Sequence, residues 1–231
     1  MSTILFVGTH PDDIDFGVGA TAKLLASRGD DVYFLDLTNG EPTPFGTPEI
    51  RAIESANAAK ILSVKKRITL DIKNREVVDS VENRHKVAEV YRAIRPDLIL
   101  AQHEKDYHPD HMASSMISWK ARFDAKLTKT DLAGEPFFAP YFLRFLASHM
   151  PQMFQPSFVI DVTETFDAKI EAVKSYESQL KMAKREKWLV DKLTDMAKFY
   201  GGLVNVKYGE PFYSEDILSL ASFDPILQHI R

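Results

Sequence analysis

Histidine and aspartate occur together in two short segments of this 231-residue chain. The first segment reads His10-Pro11-Asp12-Asp13, and the second reads His108-Pro109-Asp110-His111. Imidazole and carboxylate groups bind divalent metals, and they are the remaining protein ligands for zinc in a chain that contains no cysteine. The same groups serve as general acids and bases. The two segments therefore predict a metal centre, acid–base catalysis, or both.

Each segment also predicts the start of a helix, because proline is favoured at the first helical position. His10 and His108 would then lie at two helix entrances. Asp13 and His111 follow three residues later, and each would lie on the same helix face as the histidine before it. A single histidine at such a position is more often a cap than a ligand. The repetition of the pattern favours a shared site.

The apolar segments around the two motifs predict an α/β fold. Strands are expected at Ile4–Val7, Val32–Leu37, Ile68–Ile72 and Asp97–Ala101, and helices over Asp15–Arg28, Thr47–Leu62 and Ser80–Ile94. This alternation predicts a Rossmann-like, doubly wound, mostly parallel sheet with helices on both faces. In the usual strand order the first and fourth strands are neighbours at the switch point, where ligands bind. The two motifs would meet there.

The second half of the chain is less regular. Further strands are expected at Tyr141–Ala147 and Phe158–Val162, a helix over Phe166–Leu180 with Thr163 as its cap, and another helix within Lys181–Phe199. Residues 122–140 have no clear pattern. Because no repeat or linker interrupts the chain, we predict a single domain over residues 1–231. Its core would cover residues 1–120, with a substrate-proximal and C-terminal part over residues 121–231.

Composition argues against several classes of protein. The net charge is −4 and no basic stripe is present, which argues against nucleic-acid binding. No segment approaches the roughly 18 apolar residues of a membrane span. The first residues lack the charged lead-in and the apolar core of a signal peptide. We therefore expect a cytoplasmic protein without a membrane span, whose partner is a small molecule.

The two motifs resemble those of the LmbE-like or PIG-L-type N-acetylglucosaminyl deacetylases, which carry a His-Pro-Asp-Asp motif after the first strand and a His-Pro-Asp-His type motif later. Other segments also resemble the family, namely Asn39–Glu41, Gly46–Arg51, Phe166–Leu180 and Tyr208–Phe212. The resemblance is good over Ile4–Ser118, weak after it, and partial from Ser157 onwards. It implies a zinc-dependent hydrolase that removes the N-acetyl group from an N-acetylglucosamine-type amino sugar, and a homo-oligomer.

By this resemblance, His10, Asp13 and His111 bind one zinc ion, with another divalent metal as the alternative. Two histidines and one carboxylate leave a position on zinc open for water, as catalytic zinc sites require. Asp12 would be the general base. It is adjacent to the ligand Asp13 but points about 100° away from it on a helix, so it can face the water.

The resemblance also gives roles to three residues around the substrate. His108, if protonated, would face the developing oxyanion, and Asp110 would hold it in orientation. Asp110 could instead be only a helix-start acid favoured by the dipole. Arg51 would contact sugar hydroxyls or, alternatively, pair with Glu54 on a solvated helix face. Asn74 stands where the family pattern has an acidic residue, which bears on the substrate more than on the chemistry.

Two other interpretations remain open, and one histidine has no assigned role. Two histidines and a carboxylate also bind iron in oxygenases. A metal- or sugar-binding module without catalysis could have the same fold. Asp12 and His108 together favour a hydrolase over both. His149 lies in a segment that could reach the crevice. The sugar's conjugate is also open, with a thiol-precursor glycoside, a chitobiose, and a lipid-linked or antibiotic-pathway sugar as the candidates.

Overall fold

The computed structural model describes residues 1–146, 155–183 and 186–219. The strands among these residues are β1 (Thr3–Gly8), β2 (Asp31–Asp36), β3 (Lys66–Thr69), β4 (Leu98–Gln102), β5 (Tyr141–Phe145), β6 (Phe158–Asp161) and β7 (Gly209–Tyr213). The helices are α1 (Asp13–Ser27), α2 (Pro48–Ile61), α3 (Val81–Ile94), α4 (Pro109–Asp124), α5 (Phe166–Lys174), α6 (Glu177–Ala183) and α7 (Glu186–Leu203). None of these helices is both long enough and apolar enough to cross a membrane.

The described strands form one sheet in the order β3-β2-β1-β4-β5-β7-β6. Strands β1 to β5 run parallel, and β7 pairs antiparallel with both β5 and β6. This mostly parallel α/β sheet confirms the predicted fold class, including the adjacency of β1 and β4. The strand β7 was not predicted, because Gly209 and Pro211 both disfavour strand structure.

The central strand β1 is buried on both faces. Ile4 and Phe6 point into a core formed with α1, α2, α5 and α7, whereas Leu5 and Val7 point into a second core formed with α3 and α4. Alternate residues of a strand point to opposite faces, so a continuous apolar run is what a sheet covered on both faces requires. The predicted helices on both faces are confirmed.

The helix predicted over Phe166–Leu180 is wrong as a single element, because the chain bends between α5 and α6. A contact with Glu54 of α2 accounts for the separate start of α6. Its carboxylate oxygens accept from the backbone N–H and the hydroxyl of Ser178, both at 2.7 Å. A carboxylate at this position satisfies a free N–H of the first turn of α6. The residue before α5 is Thr165 and not Thr163 as predicted.

Helix α1 is interrupted at Val18, whose backbone angles (φ −139°, ψ 26°) are not helical. The buried ion pair of Lys169 and Glu210, 2.7 Å apart, lies at this interruption. Lys169 donates to the carbonyl of Gly17 at 2.9 Å, and Glu210 accepts from the N–H of Thr21 at 2.7 Å. The pair therefore caps both ends of the broken helix, and we call this feature the α1 break.

Candidate metal centre and active site

The two histidine motifs lie at the carboxyl ends of β1 and β4, as predicted. Helix α4 begins at Pro109, with His108 as the residue before it. The first motif differs from the prediction. The carbonyl of His10 accepts from the N–H of Asp12 at 2.8 Å, and α1 begins at Asp13, two residues after Pro11 and two residues before the predicted Asp15. Pro11 therefore lies outside the helix, and Asp12 occupies the capping position.

Thr9 and Gln102 join the ends of the two strands directly before the motifs. The side-chain oxygen of Gln102 accepts from the backbone N–H of Thr9 at 2.9 Å and also from its hydroxyl. Both residues are buried. Because water cannot compete for these bonds, they fix the distance between the two loops that carry the candidate site.

The side chains of His10, Asp13 and His111 converge on one point. Asp13 Oδ2 lies 3.3 Å from His10 Nδ1 and 3.3 Å from His111 Nε2, and the two nitrogens are 3.2 Å apart. Two tetrahedral zinc ligands with bonds of about 2.0–2.2 Å lie about 3.3 Å from each other. The donor set and its spacing therefore fit a zinc ion.

His108 is a second candidate ligand, because its ring, with those of His10 and His111, offers ligand atoms within 4.8 Å of one another. Its ring is stacked on that of His111, with centroids 4.5 Å apart and planes inclined by 20°. The lone pair of imidazole lies in the ring plane, so two stacked rings do not point at the same ion. The set that contains Asp13 fits better.

The second nitrogen of each candidate ligand has its own hydrogen-bond partner. His10 Nε2 lies 3.0 Å from Asn74 Oδ1, and His111 Nδ1 lies 2.9 Å from Asp106 Oδ2. Such partners fix the ring orientation and leave the other nitrogen for a metal. Asp106 was not singled out from the sequence, although an acid five residues before His111 in the same loop is a usable signal.

The carboxylates around the two histidines favour positive charge. Burial lowers the pKa of His10, but hydrogen bonds with Asp110 and Asp13 outweigh it and raise the pKa to about 9. Burial also lowers the pKa of His111, but the charge of Asp13 and a hydrogen bond with Asp106 raise it to about 10. The carboxylates therefore stabilise positive charge at the point where the ligand atoms converge.

Asp12, the residue before the candidate ligand Asp13, forms an ion pair with Arg51, whose Nη1 is 3.2 Å from Asp12 Oδ2. The side chain of Arg51 is 2% exposed and that of Asp12 15%. The guanidinium also packs against the ring of Tyr176, 5.7 Å from its centre. The alternative of an Arg51–Glu54 pair on a solvated face is wrong, because Arg51 is buried and Glu54 binds Ser178. The contact of Arg51 with a sugar stays a prediction.

His108 and Asp110 contact each other through the backbone. The N–H of Asp110 donates to His108 Nδ1 at 3.2 Å, while its carboxylate accepts from the N–H of Arg75 at 2.6 Å and lies 3.5 Å from His10 Nε2. A ring that accepts at Nδ1 is not doubly protonated, which differs from the expected protonated His108. Burial and the positive charges of His111 and His10 lower the pKa of His108 accordingly.

A buried charged network behind the site was not predicted. Arg67 donates to both carboxylate oxygens of Asp36, at 2.6 and 2.9 Å, and to Asp15 at 2.9 Å. Tyr176 donates to Asp15 at 2.7 Å. Burial raises the pKa of Asp36 to about 6 although Arg67 opposes it. These residues are far apart in sequence, so no local pattern indicates the network. His149 lies outside the described residues.

Comparison with known proteins gives one family. The family model described as GlcNAc-PI de-N-acetylase (PIG-L) matches residues 5–121. The diacetylchitobiose deacetylase of Thermococcus kodakarensis is 30% identical over 224 residues, which is 90% of this chain and 80% of that protein. The 4-oxalmesaconate hydratase of Pseudomonas putida is 24% identical over 190 residues, which is 76% of this chain and 73% of that protein. Among solved structures, the conserved protein TT1542 from Thermus thermophilus has a TM-score of 0.87 and 35% identity, covering 95% of this chain and 98% of that one.

Proposed function

This chain belongs to the PIG-L (LmbE-like) deacetylase family, and on that premise we propose that it hydrolyses the N-acetyl amide of an N-acetylglucosamine-type amino sugar with the help of a divalent metal ion. The observation that carries the proposal is the convergence of His10 Nδ1, Asp13 Oδ2 and His111 Nε2 at separations of 3.2–3.3 Å. Asp12, which precedes the ligand Asp13, and His108, whose ring stacks on that of His111, are the groups we propose for proton transfer and hydrogen bonding.

Zinc is the metal we propose for these three ligands. When bound, it supplies a Lewis acid that lowers the pKa of a water molecule from about 15.7 to about 7. The chain itself contributes by keeping the ligand side chains in fixed orientations. Asn74 and Asp106 orient the two imidazole rings, and the strand ends are joined by hydrogen bonds between Thr9 and Gln102.

Asp12 is the proposed general base. It accepts a proton from the attacking water and later returns it to the leaving amine, a role typically worth about 10²–10⁴-fold in rate. Arg51 engages Oδ2 of this carboxylate. We therefore assign the proton transfer to Oδ1 and give Arg51 the task of holding the carboxylate in place.

His108 is the proposed hydrogen-bond donor to the oxyanion of the tetrahedral intermediate. Because Nδ1 accepts from the N–H of Asp110, the ring proton is on Nε2, and this N–H can face the substrate. A comparable donor contributes roughly 2.7–4 kcal/mol to the stabilisation of the transition state. A neutral imidazole is sufficient for this role.

An iron oxygenase or a binding module is less well supported by the same residues. A carboxylate held by an arginine beside the metal ligands serves hydrolysis, whereas oxygen activation gives it no obvious role. A binding module needs neither a base nor an oxyanion donor. Because the chain also resembles a hydratase, its fold does not decide which reaction it catalyses, and an activity assay is needed.

The proposal is tested by acetate release from a panel of substrates, measured with the metal-free protein and after addition of zinc. The panel contains N-acetylglucosamine and its glycosides, an acetyl ester, and an N-acetyl-lysine peptide. We expect zinc-dependent release, fastest from the N-acetylated sugars. Faster release from the peptide or the ester would contradict the sugar assignment while leaving the metal site intact.

Two expectations about the whole chain remain proposals. The single domain over residues 1–231 is tested by limited proteolysis, which should give no stable fragment that retains only part of the sheet. The homo-oligomer is tested by light scattering on the purified protein, which should give a mass of two or more copies of the 26.2 kDa chain, whereas the mass of a single chain would contradict it.

A further inference from the structure

Arg51, which binds the proposed base Asp12, is held in place mainly by packing. Among the described residues its guanidinium has one hydrogen bond, from Nη1 to Oδ2 of Asp12 at 3.2 Å, and its buried Nε has no partner. The backbone of Gly40 covers the guanidinium, so that a Cβ there would lie 2.8 Å from Nη2. The ring of Tyr176 also packs against it, with its centre 5.7 Å from the guanidinium carbon. The position of Arg51 therefore depends on these two neighbours.

Tyr176 is itself anchored through its hydroxyl group. The side chain is fully buried, and the hydroxyl donates to Asp15 at 2.7 Å and accepts from Nη1 of Arg67 at 3.0 Å. Arg67 also donates two hydrogen bonds to Asp36 of β2. Phe16 packs edge-on against the same ring, with centroids 5.6 Å apart. Because these groups are buried, water does not compete for the bonds, and the anchored hydroxyl keeps the ring from turning away from Arg51.

The backbone around Tyr176 is tied to the helix that carries Arg51. Tyr176 lies between α5 and α6, and Ser178, two residues later, binds Glu54 of α2. Glu54 and Arg51 are three residues apart on α2 and are therefore neighbours on its surface. Helix α2 thus contacts the bend between α5 and α6 through both residues. A substitution of the tyrosine side chain leaves the contact between Glu54 and Ser178 in place.

The proposed reaction uses the two carboxylate oxygens of Asp12 in different roles. Arg51 binds Oδ2, and Oδ1 receives the proton of water. The terminal torsion of an aspartate has broad energy minima, so a carboxylate without a fixed partner can turn and exchange the two oxygens. Misplacing a catalytic group by about 1 Å can cost about 100-fold in rate. Any freedom that Arg51 gains should therefore lower kcat.

We propose that Tyr176 is a positioning residue for the general base. Its ring, anchored by Asp15 and Arg67, holds the guanidinium of Arg51 on Oδ2 of Asp12 and so leaves Oδ1 for proton transfer. Tyr176 touches neither the substrate nor the metal in this role. The inference rests on the proposed function, because Tyr176 can affect turnover in this way only if Asp12 is the base.

The first test compares Tyr176→Phe and Tyr176→Leu in the zinc-loaded protein. The phenylalanine keeps the ring but loses the anchor, and kcat for the best N-acetylated sugar should fall about three- to tenfold, as expected for one lost hydrogen bond. The leucine also removes the ring, and kcat should fall about 10- to 100-fold. KM and zinc content should not change in either variant.

Tyr91 provides the matched control for these variants. It is also fully buried, but it lies in the second core, where its hydroxyl donates to the carbonyl of Ser118 at 3.1 Å. Tyr91→Phe and Tyr91→Leu should lower the Tm to a similar extent and leave kcat unchanged. Unchanged kcat in Tyr176→Leu, or an equal loss of kcat in Tyr91→Leu, would overturn the inference.

A double-mutant cycle shows whether Tyr176 acts through Arg51. In the Arg51→Met background, adding Tyr176→Leu should lower kcat by less than about twofold, because the residue that the ring positions is already absent. A residue with a merely structural role would lower kcat by the same factor in both backgrounds. That result would overturn the inference and leave the proposed function standing.

An NMR measurement on the metal-free protein tests the contact without any reaction. The Nε–H of Arg51 is buried, so its signal, assigned by its absence in Arg51→Lys, should exchange slowly with water. The exchange should become about tenfold faster in Tyr176→Leu and stay unchanged in Tyr91→Leu. An exchange rate that does not rise in Tyr176→Leu would overturn the inference, whatever the activity. No acetate from any N-acetylated sugar with the zinc-loaded wild-type protein would overturn the proposed function, and the inference with it.

Discussion

Asp12 and Asp13 are neighbours in the sequence with different surroundings in the fold. Asp13 is 4% exposed, and its Oδ2 lies between two imidazole rings. Burial alone would raise its pKa, but the charge of His111 and hydrogen bonds with both rings hold the pKa well below its usual range. Asp12 is more exposed and pairs with Arg51 instead. The two carboxylates should therefore respond differently to the same substitution.

We expect Asp12→Asn to fold, to keep its zinc and to lose activity by about 10²–10⁴-fold, because the amide cannot accept the proton of water. Asp13→Asn should lose zinc, because it removes the charge of a proposed ligand. The measurement is kcat together with the zinc content of both variants.

Each outcome of that comparison has a distinct meaning. Near-normal turnover in Asp12→Asn would remove Asp12 as the base and leave His108 as the next candidate. Loss of zinc in Asp12→Asn with retention in Asp13→Asn would mean that the two assignments are reversed.

The sequence allowed us to predict which residues are the proposed metal ligands, but not which residues form hydrogen bonds with them. The His-Pro-Asp motifs follow strands that the apolar pattern predicts, so the meeting of His10 with His111 could be expected. Asn74 and Asp106 contact these rings only because of the paths that two loops take. Those paths depend on tertiary contacts such as the hydrogen bond of Arg75 to Asp110, which no local pattern encodes.

At the scale of the elements, the α1 break has a testable energetic consequence. Lys169→Met or Glu210→Gln should lower the free energy of unfolding by about 3–5 kcal/mol, because each leaves a buried charge without its partner. Lys181→Ala is the control, since it removes an exposed pair with Glu177 and should cost at most about 1 kcal/mol. Urea denaturation followed by circular dichroism measures all three.

A loss below about 1 kcal/mol in both buried variants would show that the helix does not need this ion pair. The double variant Lys169→Met/Glu210→Met should be more stable than the sum of the single losses implies, because neither charge is then left alone.

Local sequence patterns correctly predicted those helix starts that depend only on residues at the start itself. Pro48 and Pro109 start helices where expected. The interruption at Val18 was missed because the apolar spacing of α1 continues across it. The side chains that bond to the backbone groups freed there, Lys169 and Glu210, come from the second half of the chain. The strand β7 was missed because Gly209 and Pro211 pair only in the context of the finished sheet.

At the scale of the whole molecule, the proposed metal ion would stabilise the fold by binding only to the folded state. At a free zinc concentration about 100-fold above Kd, the gain is about 2.7 kcal/mol. We therefore expect a chelator to lower the Tm of the protein and added zinc to restore it. His10→Ala and His111→Ala should lack this shift, whereas His85→Ala on α3 should keep it. Calorimetry is the measurement, and an equal shift in all three variants would contradict the assignment of the ligands.

The adjacency of β1 and β4 also determines at which stage of folding the candidate metal centre can form. Thr9 and Gln102 are 93 residues apart along the chain, yet their hydrogen bonds join the two halves of the centre. Closing so long a loop costs entropy that only the completed strand pair offsets, and parallel pairing of this kind is slow to form. During synthesis, a chain that has emerged only as far as β3 carries His10 and Asp13 without His111. Binding of the proposed metal ion would therefore be a late event in the folding of this protein.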